Sequence, residues 1–85
     1  MINEAYSDEL NNLRENISKI DSRIIELLAD RKDLVLKIGL IKSQNNLEIE
    51  QNDVWKSATA FRNNLAISLD LNSNFIESIF NSIQA

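Results

Sequence analysis

The chain has 85 residues, with one Gly, no Pro, Cys or His, 44% hydrophobic residues and a net charge of −4 at pH 7. That length allows one small domain, and the apolar fraction makes it globular rather than disordered. The missing Cys and His exclude a disulfide framework, the usual transition-metal ligands and the usual nucleophile–base pairs, and the acidity disfavours nucleic acid as a partner.

From Ser7 to Ser43, Gly39 is the sole backbone-loosening residue. Leu10, Leu13, Ile17, Ile20, Ile24, Leu27, Leu34, Ile38 and Ile41 recur there at alternating spacings of three and four. This heptad-like series predicts one long helix with an apolar seam that packs on other helices. Ser7 is the expected N-cap, Asp8 and Glu9 suit the first turn, and Lys37 and Lys42 suit the far end. Such a helix would be ~55 Å long. A compact monomer of this size has a radius of gyration of only ~12 Å, so the helix overhangs its own domain. A symmetric partner is the simplest cover for the overhang, and a homodimer is expected. The polar N-terminus carries no signal-peptide pattern, and no apolar run is long enough to cross a bilayer. The expected setting is the cytoplasm, with no membrane contact.

Gln44-Asn45-Asn46 reads as a loop. A second helix is expected to start between Glu48 and Asp53 and to end near Ser68, with Val54, Ala58, Phe61 and Leu65 on its apolar face. Asn72 is the expected N-cap of a third helix, with Leu71 and Ile76 spaced for a hydrophobic staple. Phe75, Ile76, Ile79, Phe80 and Ile83 mark the apolar side of that helix. The predicted fold is all-α, with three helices per protomer, a long first helix and a single domain over residues 1–85.

Arg31 is the one break in the apolar series of the first helix. A guanidinium is always charged and is costly to bury alone, so it must find an anion. Either a flanking acid such as Asp30 or Asp33 reaches it, or a ligand does. Arg31 and Lys42 are eleven residues apart, which at ~100° per residue returns to nearly the same helical face. They are separated by ~16 Å along the axis, so a small anion fits between their long side chains. Arg14 is ~42 Å from Lys42 on the same helix, too far to share that anion. In an antiparallel pair crossing near Ile25, however, the partner's Arg14 falls level with Leu36, midway between Arg31 and Lys42. Two cations of one protomer and one of the other then converge on a dianion.

The stretches Leu13-Arg14-Glu15-Asn16-Ile17-Ser18-Lys19-Ile20-Asp21, Ile25-Glu26-Leu27-Leu28-Ala29-Asp30-Arg31 and Val35-Leu36-Lys37-Ile38-Gly39-Leu40-Ile41-Lys42 carry a recognisable pattern. Together with Leu71-Asn72 and Phe75-Ile76-Glu77-Ser78-Ile79-Phe80, they resemble the all-helical chorismate mutases over nearly the whole chain. The resemblance implies an intertwined antiparallel homodimer that rearranges chorismate, a small dicarboxylate, to prephenate without a cofactor or metal, in aromatic amino acid biosynthesis. It also implies that Arg31 and Lys42 act from the same chain and Arg14 from the opposite subunit, all three as catalytic and substrate-binding cations. Some small relatives are activated by a partner enzyme, which makes such a partner an expectation here too.

The sequence departs from the family pattern beyond Lys42. An ungapped reading places Gln51 where the family has an acid, Val54 where it has an Arg, and Trp55 where a Glu contacts the substrate hydroxyl. A two-residue shift would instead place Asp53, Lys56 and Ser57 there. The ungapped reading is preferred, because the Asn72 and Phe80 matches need no insertion. Gln51 and Trp55 are then the further substrate-binding candidates, with packing an equal role for Trp55. A late Gln of the family falls beyond Ala85. These departures leave three alternatives open. One is a substrate such as 4-amino-4-deoxychorismate. Another is the isochorismate-pyruvate lyase reaction of some relatives. The third is a weakly catalytic or non-catalytic helical dimer that serves as a partner or effector-binding subunit.

Overall fold

The computed structural model describes residues 4–45 and 52–83, with side chains for 6–45 and 56–83. The described residues form three α-helices: α1 (Glu4–Gln44), α2 (Asn52–Ser68) and α3 (Ser73–Ile83). None is long and apolar enough to cross a membrane. The all-α, three-helix expectation holds, and α1 is indeed the long element. At 41 residues it is ~60 Å long.

Ser7 is not the N-cap, because α1 already begins at Glu4. Residues 4–6 contain no Gly or Pro, so nothing local stops the helix at Ser7. At the other end the helix runs one residue into the expected loop, through Gln44. Asn45 closes it, donating from its backbone N (3.2 Å) and its side-chain Nδ2 (2.8 Å) to the Ile41 carbonyl. Both bonds satisfy one of the carbonyls that a helix end leaves without a partner. Asn46 lies outside the described residues.

The chain divides into two compact units, Met1–Ile38 and Gly39–Ala85. The described part of the first is residues 4–38 of α1, and the last turns of that helix fall in the second unit. The seam residues from Leu10 to Ile38 are all exposed in the single chain; Ile17, near the middle, is 57% exposed.

In the second unit, α2 and α3 pack on each other. Ala66 is the single buried residue among those described. The half-buried positions are Ala58, Thr59, Arg62 and Asn63 on α2, and Ser73, Ile76, Phe80 and Ile83 on α3. This corrects the expected α2 face. Ala58 is half-buried, but Phe61 and Leu65 are 67% and 47% exposed. Ala58, Arg62 and Ala66 form one stripe of α2, with Arg62 reaching across to the Phe80 ring of α3. Phe75 and Ile79 likewise stay exposed, leaving α3 with apolar surface beyond its contact with α2. The side chain of Val54 is outside the described residues.

The α2–α3 connection is built from local hydrogen bonds. Leu71 N donates to the Ala66 carbonyl (2.8 Å) and Asp70 N to the Ile67 carbonyl (3.1 Å). Asp70 sits at φ 57°. Together these make a Schellman C-cap with an aspartate at the left-handed position that glycine usually fills. Asp70→Gly is therefore expected to stabilise the fold by about 0.5–1 kcal/mol, read as a rise in thermal midpoint. Asn72 then caps α3 as expected, with its Oδ1 accepting from Phe75 N at 3.1 Å. Asn72→Ala should destabilise by about 1 kcal/mol in a denaturant titration, because that N–H loses its partner.

Candidate functional site

Three of the cations singled out by sequence, Arg14, Arg31 and Lys42, lie on α1. Arg31, Val35 and Lys42 are half-buried, whereas every other described side chain of α1 is exposed. That difference is informative. Lys and Arg are the residues most readily left in water, yet here they are more covered than the Leu and Ile of the seam. Arg31 and Lys42 each engage another group of the chain. Arg31 and Val35 are one turn apart in the first unit. Lys42 stands in the last turn of α1, where its charge also suits the helix dipole.

Arg14 is exposed. It precedes Arg31 by seventeen residues of unbroken helix, ~25 Å along the axis. The structure therefore does not bring Arg14 and Arg31 together on one small ligand within a chain. Gln51 lies outside the described residues, as does the side chain of Trp55.

A second polar cluster was not singled out in the sequence. On the α2–α3 surface a cleft of about 400 Å³ is lined by Lys56, Thr59, Arg62, Asn63, Glu77 and Asn81, with Ala60 and Ile76 adding apolar lining. The Arg62 guanidinium lies 4.5 Å from the centroid of the Phe80 ring, and its Nη2 donates to Thr59 Oγ1 at 3.4 Å. A usable signal was present. Arg62 occupies the middle of the Ala58, Arg62, Ala66 stripe, a cation among small packing residues much as Arg31 is among large ones.

The chain belongs to the chorismate mutase type II family, whose pattern matches residues 13–85. It is similar to a bifunctional chorismate mutase/prephenate dehydratase of Buchnera aphidicola subsp. Schizaphis graminum (strain Sg), 37% identical over 76 residues. That match covers 89% of this chain and 20% of the relative. The corresponding protein of Buchnera aphidicola subsp. Acyrthosiphon pisum (strain APS) is 36% identical over 70 residues, covering 82% of this chain and 18% of the relative. A T-protein of Enterobacter agglomerans is 32% identical over 75 residues, covering 88% of this chain and 20% of the relative. The chain thus spans about a fifth of the length of these curated relatives. No solved structure gives a significant match.

Proposed function

We propose that this chain is a chorismate mutase, acting as one catalytic domain over residues 1–85 and as an antiparallel homodimer in the cytoplasm. The observation that carries the reading is the half-burial of Arg31 and Lys42 on α1, whose other described side chains are exposed except Val35, within the family match. The reaction is a Claisen rearrangement. The ether C–O bond of the enolpyruvyl group breaks as a C–C bond forms to the ring, with no proton transferred and no electron gained or lost. A chain without His or Cys is suited to it, since the work is positioning and charge stabilisation. Arg31, with Arg14 of the partner protomer, holds the two carboxylates, for which the planar guanidinium fork gives bidentate contact. Holding the flexible substrate in a chair-like reactive shape supplies several kcal/mol. Lys42 donates to the ether oxygen, which gains negative charge in the transition state. A preorganised donor of this kind contributes on the order of 3 kcal/mol, or ~10²-fold in rate. Gln51 and Trp55 are the further substrate contacts in this reading.

The dimer is supported by what one chain leaves uncovered. The nine seam residues from Leu10 to Ile41 are all exposed. At about 1 kcal/mol for each half-exposed Leu or Ile, on the order of 10 kcal/mol of burial is unrealised in the monomer. Sedimentation equilibrium at micromolar concentration should show a dimer, and a stably folded monomer would contradict the model of shared sites. An activating partner enzyme also belongs to this reading, and adding it to the purified chain would raise turnover.

Trp55 favours a second reading. A Trp in place of a Glu removes the carboxylate that meets the substrate hydroxyl, which suits a substrate whose substituent there is not that hydroxyl, such as 4-amino-4-deoxychorismate. Purified protein should be assayed against chorismate, isochorismate and 4-amino-4-deoxychorismate, with products identified by mass and NMR. Prephenate from chorismate is expected. Pyruvate release from isochorismate alone would make the chain a lyase. Turnover of the amino analogue alone would establish the second reading. Turnover of none, with or without an added partner enzyme, would leave a non-catalytic subunit.

A further inference from the structure

We propose that the α2–α3 cleft is a second ligand site, selective for a small zwitterion of the α-amino acid class, with its carboxylate held between Arg62 and Lys56 and its ammonium at Glu77. The case begins with Arg62. It is half-buried, stacked over Phe80 and tied to Thr59, so its guanidinium is preorganised rather than loose on the surface. A single long hydrogen bond to Thr59 leaves most of its N–H donors for solvent or a ligand. Among the described residues no carboxylate closes an ion pair with it, although Glu77 lines the same cleft. A guanidinium taken partly out of water without a counter-ion is unfavourable, and a bound anion relieves that state.

The remaining lining residues define the anion. Lys56 and Asn63 are seven residues apart on α2, and Glu77 and Asn81 are four apart on α3, so each pair forms one stripe of its helix. Lys56 and Glu77 do not close an ion pair across the cleft, which keeps both charges available. Two cations and one carboxylate around one cavity repel a plain dianion at Glu77 and a plain cation at Arg62. They complement a molecule that carries both signs. The Asn63 and Asn81 amides can donate to its carboxylate or accept from its ammonium. A volume of about 400 Å³ is in the range of small-molecule sites, and Ala60 and Ile76 leave room for an apolar side chain.

The test is a titration of the full chain with the common L-α-amino acids, one at a time, followed by amide chemical shifts. At least one of them is expected to move resonances of Thr59, Arg62, Asn63 and Asn81. Sodium acetate and methylammonium chloride, each with a single charge, should bind about tenfold or more weakly than that amino acid. Arg62→Met keeps an apolar stem over Phe80 but removes the charge, and should weaken binding by about tenfold. Glu77→Gln should erase the preference for the amino acid over acetate. The proposal is overturned if no amino acid shifts the cleft resonances, or if acetate binds as well as every amino acid. Wild-type affinity in Arg62→Met would overturn it too. Should Arg62→Met fail to fold, Lys56→Met carries the same expectation at an exposed position. The titration reads binding directly and does not depend on turnover of chorismate, so its outcome is separable from that of the mutase assay.

Discussion

Arg14→Ala and Lys42→Ala homodimers should each be nearly inactive toward chorismate, and mixing the two should restore activity. Arg14 and Arg31 are ~25 Å apart on one helix, so Arg14 cannot serve its own chain's Arg31. It can serve a partner whose α1 runs the opposite way. In a hybrid dimer, the Arg14→Ala chain contributes an intact Lys42 and receives an intact Arg14 from the Lys42→Ala chain. That site is complete, while the other carries both lesions. At equal mixing about half of the dimers are hybrids, each with one working site. Activity should therefore recover to about a quarter of wild type if the sites act independently. The expected loss in each parent is large, because removing a preorganised donor at the reacting oxygen alone lowers the rate ~10²-fold or more. Reannealing followed by a chorismate assay, with subunit exchange verified by mass spectrometry, makes the measurement. Exchange without recovery would mean that Arg14 serves its own chain or no site at all.

Arg31→Leu should leave the dimer folded and abolish turnover. Position 31 continues the Leu and Ile series of α1, so Leu restores the apolar pattern that Arg interrupts. If Arg31 is present for a ligand, replacing it removes a partly buried charge. Unfolding stability should then stay within about 1 kcal/mol of wild type or rise. Binding of a dicarboxylate substrate or transition-state analogue should be lost, because the bidentate contact has no apolar substitute. Urea titration and calorimetric binding separate the two effects. A variant that unfolds would instead assign Arg31 to an ion pair within the chain, with Asp30 and Asp33 the nearest acids in sequence.

Much of the fold is legible without coordinates because its signals are local. Heptad spacing over residues 10–41 defines one long helix, and it does so whether or not the seam finds a partner. Asn72 announces the start of α3 through one side chain and an N–H three residues on, and the structure contains that bond. The start of α1 was less legible, since Ser7 is a good cap only where something stops the helix, and residues 4–6 do not. The cap at Asp70 was hidden for a related reason. The left-handed position usually advertises itself through glycine, and here it carries an aspartate.

The candidate site divides in the same way. Arg31 stood out because a cation interrupts an apolar series, a one-dimensional anomaly that any reading of spacing detects. By itself the sequence determined the helix count, the length of α1, the cap at Asn72, and the cations that tie the chain to its family. Only the tertiary structure decided which face of α2 meets α3. Large residues such as Phe61 and Leu65 dominate a hydrophobic pattern, yet the covered positions of α2 are Ala58, Thr59, Arg62, Asn63 and Ala66. The same packing brought Phe80 beneath Arg62 and set Lys56 near Glu77 in one cleft. No spacing rule within either helix could foretell that, because the residues involved become neighbours only when the two helices pack.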